Sequence, residues 1–143
     1  MKKKILITGS SGFLGNLAKQ YFSKNYDLVS VDLSKSNDAN SYKVDIANFA
    51  EIDFVISKEK PDIIFHFASE IFDTHNKTKI YKTNVEGSKN VKISAIKNNV
   101  DNLIFTSTFS IFEKNYNYLI SESEPISCKN YYGKTKSKVE NIL

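Results

Sequence analysis

The chain has 143 residues, 41% of them hydrophobic and 25% charged, with a formal net charge of +4; this is ordinary for one globular domain with a full core and excludes a disordered chain. No apolar run approaches the ~18 to 20 residues of a membrane span, so no membrane anchor or membrane partner is expected. The single cysteine, Cys128, excludes an internal disulfide, fits a reducing cytoplasm and reads as an inert thiol.

Met1-Lys2-Lys3-Lys4 before Ile5-Leu6-Ile7 has the charged start of a signal peptide, but the apolar part stops short of the ~7–15 residues of such a segment and reads as a first strand. Thr8-Gly9-Ser10-Ser11-Gly12-Phe13-Leu14-Gly15 follows, and Leu14, Leu17, Ala18 and Tyr21 then recur at helical spacing. A strand that turns through glycines into a helix N-terminus presents unpaired N–H groups and the positive end of the helix dipole, which together bind a phosphate. Gly9 suits the tight turn, Gly12 the approach of a pyrophosphate, and Gly15 the packing of helix on strand. The first glycine interval is one residue longer than in G-x-G-x-x-G. Val29-Ser30-Val31 reads as the second strand and ends at Asp32, about 20 residues past Gly12, where a carboxylate accepts ribose hydroxyls.

Residues 42–46 read as a short third strand. Asn48, three residues before Glu51, predicts an N-cap, and Ile52, Val55 and Ile56 give that helix a buried stripe before Pro61 closes it. The apolar run 62–68 suits a fourth, central strand buried on both faces, with His66 as a satisfied core histidine. A long helix is expected from about Thr78 to Asn98, with Lys77, Lys79, Lys82, Lys89, Lys92 and Lys97 on a solvated face rather than in a nucleic-acid stripe. Residues 102–107 form the fifth strand. A loop around Asn115 to Ser127 follows, and a last helix begins near Asn130 and is still running at Leu143. His75 falls in a polar loop, and no metal site follows from the spacing of the histidines, the cysteine and the acids.

Alternating strands and helices predict an α/β fold with a parallel sheet covered on both faces by helices; the reading adopted is a doubly wound sheet of five strands in the order 3-2-1-4-5. Ligands then collect beyond the carboxyl ends of the strands, at Gly9, Asp32, Asp45-Ile46, Ala68-Ser69-Glu70 and Thr106-Ser107-Thr108. Tyr132 and Lys136 lie four apart and share a helix face. A lysine ammonium beside a phenol favours the phenolate, which suits a general base for a hydroxyl.

These residues resemble the extended short-chain dehydrogenase/reductase family, and within it the NAD-dependent epimerase/dehydratase group acting on nucleotide sugars. The resemblance rests on the glycine segment, Asp32, Asp45-Ile46, Phe65-His66-Phe67-Ala68-Ser69, Thr83-Asn84-Val85-Glu86-Gly87-Ser88-Lys89-Asn90-Val91, Phe105-Thr106-Ser107-Thr108 and Tyr132-Gly133-Lys134-Thr135-Lys136. It implies a Rossmann domain over residues 1–143 that binds NAD. Phe13 and Leu14 would give N–H groups to the pyrophosphate, Asp32 would hold the adenosine ribose, and Asp45 and Ile46 would flank the adenine. Phe67, Ala68 and Ser69 would line the dinucleotide with Asn84 close by, unless Asn84 serves a neighbouring backbone group instead. Thr108 would hydrogen-bond the sugar hydroxyl, with Ser107 a possible substitute, Tyr132 would take its proton, and Lys136 would bind the nicotinamide ribose and tune Tyr132.

The same resemblance implies a nucleotide-sugar substrate, no nucleic-acid partner, and a homodimer pairing the helix from Thr78 with that from Asn130. Tyr81, Val85 and Ile96 offer a second apolar face for that contact. It also implies that family members continue for roughly as many residues again, so a C-terminal substrate lobe is absent from this chain. Phe109 and Ser110 stand where dehydratases of the group carry an acid pair, which argues against 4,6-dehydration. Phe112-Glu113 lacks the expected glycine, and Tyr131 replaces a frequent proline. Asp32 predicts preference for NAD over its 2′-phosphorylated form, softened by Lys35. The alternative reading is a non-catalytic dinucleotide-binding module or a truncated remnant.

Overall fold

The computed structural model describes residues 2–34, 37–71, 76–112 and 117–143; Lys35, His75, Glu113 and Asn115, singled out above, lie outside the described residues. Five parallel strands form one sheet in the expected order β3-β2-β1-β4-β5. They are β1 (Lys4–Thr8), β2 (Asp27–Asp32), β3 (Ser41–Lys43), β4 (Ile63–His66) and β5 (Asn102–Phe105).

The period of two along β1 feeds two cores on opposite faces of the sheet. Ile5 and Ile7 meet Ala18 of α1 (Phe13–Phe22) and Phe65, with Phe22 packed edge-on to Phe65 at 5.2 Å. Leu6, with Val29, Val31 and Ile64, meets Ile52, Val55 and Ile56 of α2 (Phe49–Glu59) and Val91 and Ala95 further along. Each of these fully buried aliphatic side chains contributes about 1.5–3 kcal/mol by leaving water.

Tertiary contacts alter several local expectations. The third strand is shorter than 42–46: pairing ends at Lys43, though the Val44 amide still donates to the Asp32 carbonyl at 2.8 Å and Val44 and Ile46 are buried. The fourth and fifth strands likewise end at His66 and Phe105, where the chain turns away to form the rim. Asn48 occupies the N-cap of α2 but makes no capping bond; its amide donates to Glu51, whose other carboxylate oxygen accepts from the Asp45 N–H at 3.0 Å. At the other end Lys60, left-handed at φ 47°, closes α2 before Pro61.

The long helix is not uniform. It runs as α3 (Lys77–Tyr81), one widened π-helical stretch from Lys82 to Gly87, and α4 (Ser88–Lys97). Widening the turn broadens the inward face, so that Asn84, Val85, Gly87 and Ser88 are all buried. Val85 therefore offers no outer apolar face; Tyr81 is half-buried and Ile96 exposed. Five of the six lysines on this segment are exposed as expected, whereas Lys92 is half-buried and donates to the Ile142 carbonyl. The last helix, α5 (Tyr131–Glu140), is capped by Asn130, whose side chain accepts from the Gly133 amide at 2.6 Å, and it stops at Glu140 rather than running through Leu143.

Candidate functional site

The carboxyl ends of β1, β2 and β4 enclose a cleft of about 560 Å³, within the usual size of small-molecule sites. Gly9, Gly12, Phe13, Leu14, Gly15, Asp32, Asp45, Ile46, Phe67, Ala68 and Ser69 all line it. The three glycines do different work. Gly9 is left-handed at φ 69°, and a Cβ there would lie 2.7 Å from the Ala68 nitrogen, so the chain after β4 passes directly over it. At Gly15 a Cβ would run into Ser10, 2.6 Å from its Cα, which fixes how closely α1 sits on β1. Gly12, the N-cap of α1, would meet only the Gly9 carbonyl, at 3.3 Å, and no side chain caps the helix there. The first-turn amides are thus left for an anion.

Asp32 is tied to this turn. Its Oδ2 accepts from the Ser11 N–H at 2.9 Å, while Oδ1 accepts from the amide and hydroxyl of Ser34 at 3.3 Å. Opposite, Asp45 Oδ1 accepts from the Ala47 amide at 2.9 Å and holds the Asp45-Ile46 turn against the cleft. An acid at the end of β2, beside an uncapped helix turn, fits the ribose and pyrophosphate of a dinucleotide.

Asn84 stands behind this wall rather than in it. Its Oδ1 accepts from the Glu70 amide at 2.7 Å and the Ser69 hydroxyl at 3.2 Å, and its Nδ2 donates to the Glu70 carbonyl and Thr135 Oγ1, both at 3.1 Å. Those four bonds use its whole amide capacity. The neighbouring-backbone alternative raised for Asn84 accords with this geometry.

Thr108, Tyr132 and Lys136 lie outside the main cleft. Thr108 lines a second cavity with Ser107, Phe109, Glu122, Glu124 and Glu140, and its hydroxyl accepts from the Ser110 amide at 3.2 Å. The start of α5 is seated on the turn that follows, since a Cβ on Gly133 would strike the Ser110 carbonyl. Among the described residues no hydrogen bond joins Thr108 to Tyr132. Lys136 is 2% exposed, with Nζ 4.1 Å from the centre of the Phe105 ring and 6.0 Å from that of Tyr132. Burial lowers its pKa to about 8, against a smaller opposite pull from Glu140.

This shift sets the sign of a stability effect. Between pH 8 and 10.5 the unfolded chain binds a proton that the folded lysine has lost, so stability rises with pH across that window. Lys136→Met is therefore expected to stabilise the fold by ~1–3 kcal/mol at pH 7, with the gain shrinking as pH climbs through the window. Thermal melts of both proteins from pH 6 to 10 read this directly; a gain that grows with pH would refute it.

Several lining residues were given no role in the site from the sequence: Leu33, Val44, Ile71 and Thr83 also line the cleft. Leu33 and Val44 directly adjoin Asp32 and Asp45, so extending each strand-end reading by one residue finds them. Phe105 was given no role of its own in the site, although the Lys136 ammonium lies over its ring. Among the described residues no group of three or more His, Cys, Asp or Glu is placed to hold a metal, and no helix is long and apolar enough to cross a membrane.

A parallel sheet in this order, with a glycine turn facing an acid at the neighbouring strand end, defines a dinucleotide-binding domain of the Rossmann type. Sequence comparison agrees, the model of one family matching residues 5–143. The chain belongs to the NAD dependent epimerase/dehydratase family.

Its relatives include the N-acetyl-alpha-D-glucosaminyl-diphospho-ditrans,octacis-undecaprenol 4-epimerase of Escherichia coli O157:H7, 26% identical over 100% of this chain and 43% of the relative. The GDP-6-deoxy-D-talose 4-dehydrogenase of Aggregatibacter actinomycetemcomitans is 30% identical over 98% of this chain and 47% of its own. Among solved structures, the UDP-glucose 4-epimerase of Brucella ovis in complex with NAD superposes with a TM-score of 0.87 at 26% identity, covering 99% of this chain and 46% of that one. The chain thus spans about half the length of the curated relatives it matches.

Proposed function

We propose that the chain binds NAD in the main cleft and forms the cofactor half of a nucleotide-sugar epimerase or reductase. The observation that carries this reading is the glycine turn with the Asp32 carboxylate bonded across it, 2.9 Å from the Ser11 nitrogen. Similarity to the enzymes above supports the substrate class. Phe13 and Leu14 offer amides to the pyrophosphate, Asp32 takes the adenosine ribose, and Asp45 and Ile46 border the adenine. Bound NAD supplies a hydride acceptor. Tyr132 removes the proton of a sugar hydroxyl held by Thr108, and Lys136 holds the nicotinamide ribose and favours the phenolate by charge. In an epimerase Tyr132 would give the proton back to the carbonyl oxygen, the configuration being set by the face of the carbon that hydride regains; in a reductase Tyr132 would instead donate the proton to the carbonyl oxygen of the incoming sugar. We place this chemistry in the cytoplasm.

Calorimetry tests the cofactor assignment. NAD is expected to bind at least tenfold more tightly than NADP, because the Asp32 carboxylate repels a 2′-phosphate at close range. Asp32→Asn should narrow that ratio, and tighter binding of NADP by the native chain would overturn the assignment.

A homodimer belongs to the same reading. Within one chain the two helices already form a common surface: Lys138 donates to the Tyr81 hydroxyl at 2.8 Å, and Lys77 lies over the Tyr131 ring at 5.7 Å. Two such surfaces meeting about a two-fold axis give a four-helix contact. Light scattering is expected to show a dimer, and a monomer at high concentration would rule it out.

A further inference from the structure

Beneath the cleft, Thr8, His66, Ser88, Asn84 and Thr135 are all 3% exposed or less, in a fold whose interior is otherwise mostly aliphatic. Their hydrogen bonds connect. The Ala68 amide donates to Thr8 Oγ1 at 3.3 Å, Thr8 Oγ1 lies 2.7 Å from His66 Nδ1, His66 Nε2 lies 2.7 Å from Ser88 Oγ, and Ser88 Oγ donates to the Asn84 carbonyl at 2.5 Å. The Ser88 amide itself donates to the Val85 carbonyl. From Asn84 the network passes through Nδ2 to Thr135 Oγ1, which donates to the Tyr132 carbonyl at 2.7 Å.

Donor and acceptor counts give this chain one direction. A serine hydroxyl has one proton, and that of Ser88 is committed to the Asn84 carbonyl, so Ser88 Oγ accepts from His66 Nε2–H. Nδ1 is then the acceptor for the Thr8 hydroxyl proton, which leaves Thr8 Oγ1 to accept from Ala68. The opposite tautomer would strand the Thr8 proton and the Asn84 carbonyl in a buried site, where each unmade bond costs more than a made one gains. The ring also stays neutral: burial first, and the Lys136 charge second, lower its pKa to about 3.

We propose that His66 is a positioning residue, a one-way hydrogen-bond relay that fixes Ala68 in the wall of the dinucleotide cleft to the helical junction at Asn84, and through it to the helix carrying Tyr132 and Lys136. The proposal rests on the function proposed above only for what the cleft binds and what Tyr132 and Lys136 do. Without the Ser88 hydroxyl, Nε2–H has no acceptor, the other tautomer becomes competitive, and the loss is felt at Ala68, at the far end of the chain of bonds.

Three measurements on the 143-residue protein decide it. Nitrogen-15 NMR of the native chain should show His66 neutral with the proton on Nε2 from pH 5 to 8; a proton on Nδ1 overturns the relay without any variant being made. In Ser88→Ala, hydrogen exchange at the Ala68 amide should accelerate at least tenfold and NAD affinity should fall at least fivefold. Val55→Ala, a deletion in the core beneath α2, serves as the control: with a similar fall in melting temperature it should leave both within twofold. Unchanged exchange in Ser88→Ala, or equal acceleration in the control, overturns the proposal. A native chain that binds no NAD refutes the proposed function, while the tautomer and the exchange rates still decide the relay.

Discussion

Gly15→Ala is expected to lower stability by about 3 kcal/mol or more, a fall of roughly 10 °C in melting temperature for a domain of this size. The added methyl would sit against the Gly9 carbonyl and 2.6 Å from Ser10 Cα. These are backbone atoms, which move only if α1 lifts from β1 and opens the core at Ile5, Ile7 and Ala18. Gly9→Ala should cost a similar amount for two combined reasons, its φ of 69° and the Ala68 nitrogen at 2.7 Å. Gly12→Ala supplies the contrast. Its methyl would meet one carbonyl at 3.3 Å, and φ −74° suits alanine, so stability should change by less than about 1 kcal/mol while NAD affinity drops at least tenfold. Melting curves and calorimetry on the three variants separate the two effects. Equal losses of stability at Gly12 and Gly15 would show that the glycines are not divided in this way.

Incubated with NAD and UDP-, dTDP- or GDP-sugars, the 143-residue chain is expected to bind cofactor without sustained turnover of sugar. The residues lining the main cleft run from Gly9 to Thr83, so the surface proposed to take the adenosine half of the cofactor lies within these 143 residues. The proposed reaction would also need the sugar held against Tyr132 and Thr108, and Thr108 lines a separate cavity bordered by Phe109, Ile126 and three glutamates. Relatives that carry out such reactions are about twice as long. Orientation supplies ~7–11 kcal/mol of a typical enzymatic barrier, so a chain that binds but does not orient falls many orders of magnitude short. Among the described residues β5 is the last strand of the sheet, and its outer edge, where Ile104 is half exposed, is a further expected site of pairing with another chain. Chromatography of the sugar products over hours tests this, and steady product formation would refute it.

What the sequence by itself determined was the part governed by neighbours along the chain. Alternating strand and helix periods dictate a parallel sheet with right-handed crossovers, and the strand, glycine and acid spacing points to a dinucleotide fold with the order 3-2-1-4-5 and places the cleft. His66 could be assigned to the core because it stands within an apolar strand. Only the tertiary structure decided where the helices widen or stop, which rim residues face the ligand, and what the buried polar groups do. The periodicity of residues 78–98 is that of a plain helix; the π stretch is stabilised by contacts it makes elsewhere, Asn84 to Thr135 across 51 residues and Gly87 against Ile46. Thr8 and His66, 58 residues apart, each look unremarkable in sequence and become partners only because β1 and β4 pair in register. The charge of Lys136 likewise meets the Phe105 ring only when α5 is brought to the end of β5. Propensity and hydrophobic period are local properties that can be read from a string, whereas the non-local hydrogen bonds of the buried network form only after the backbone has closed loops such as the 14 residues from Glu70 to Asn84 and the 58 from Thr8 to His66.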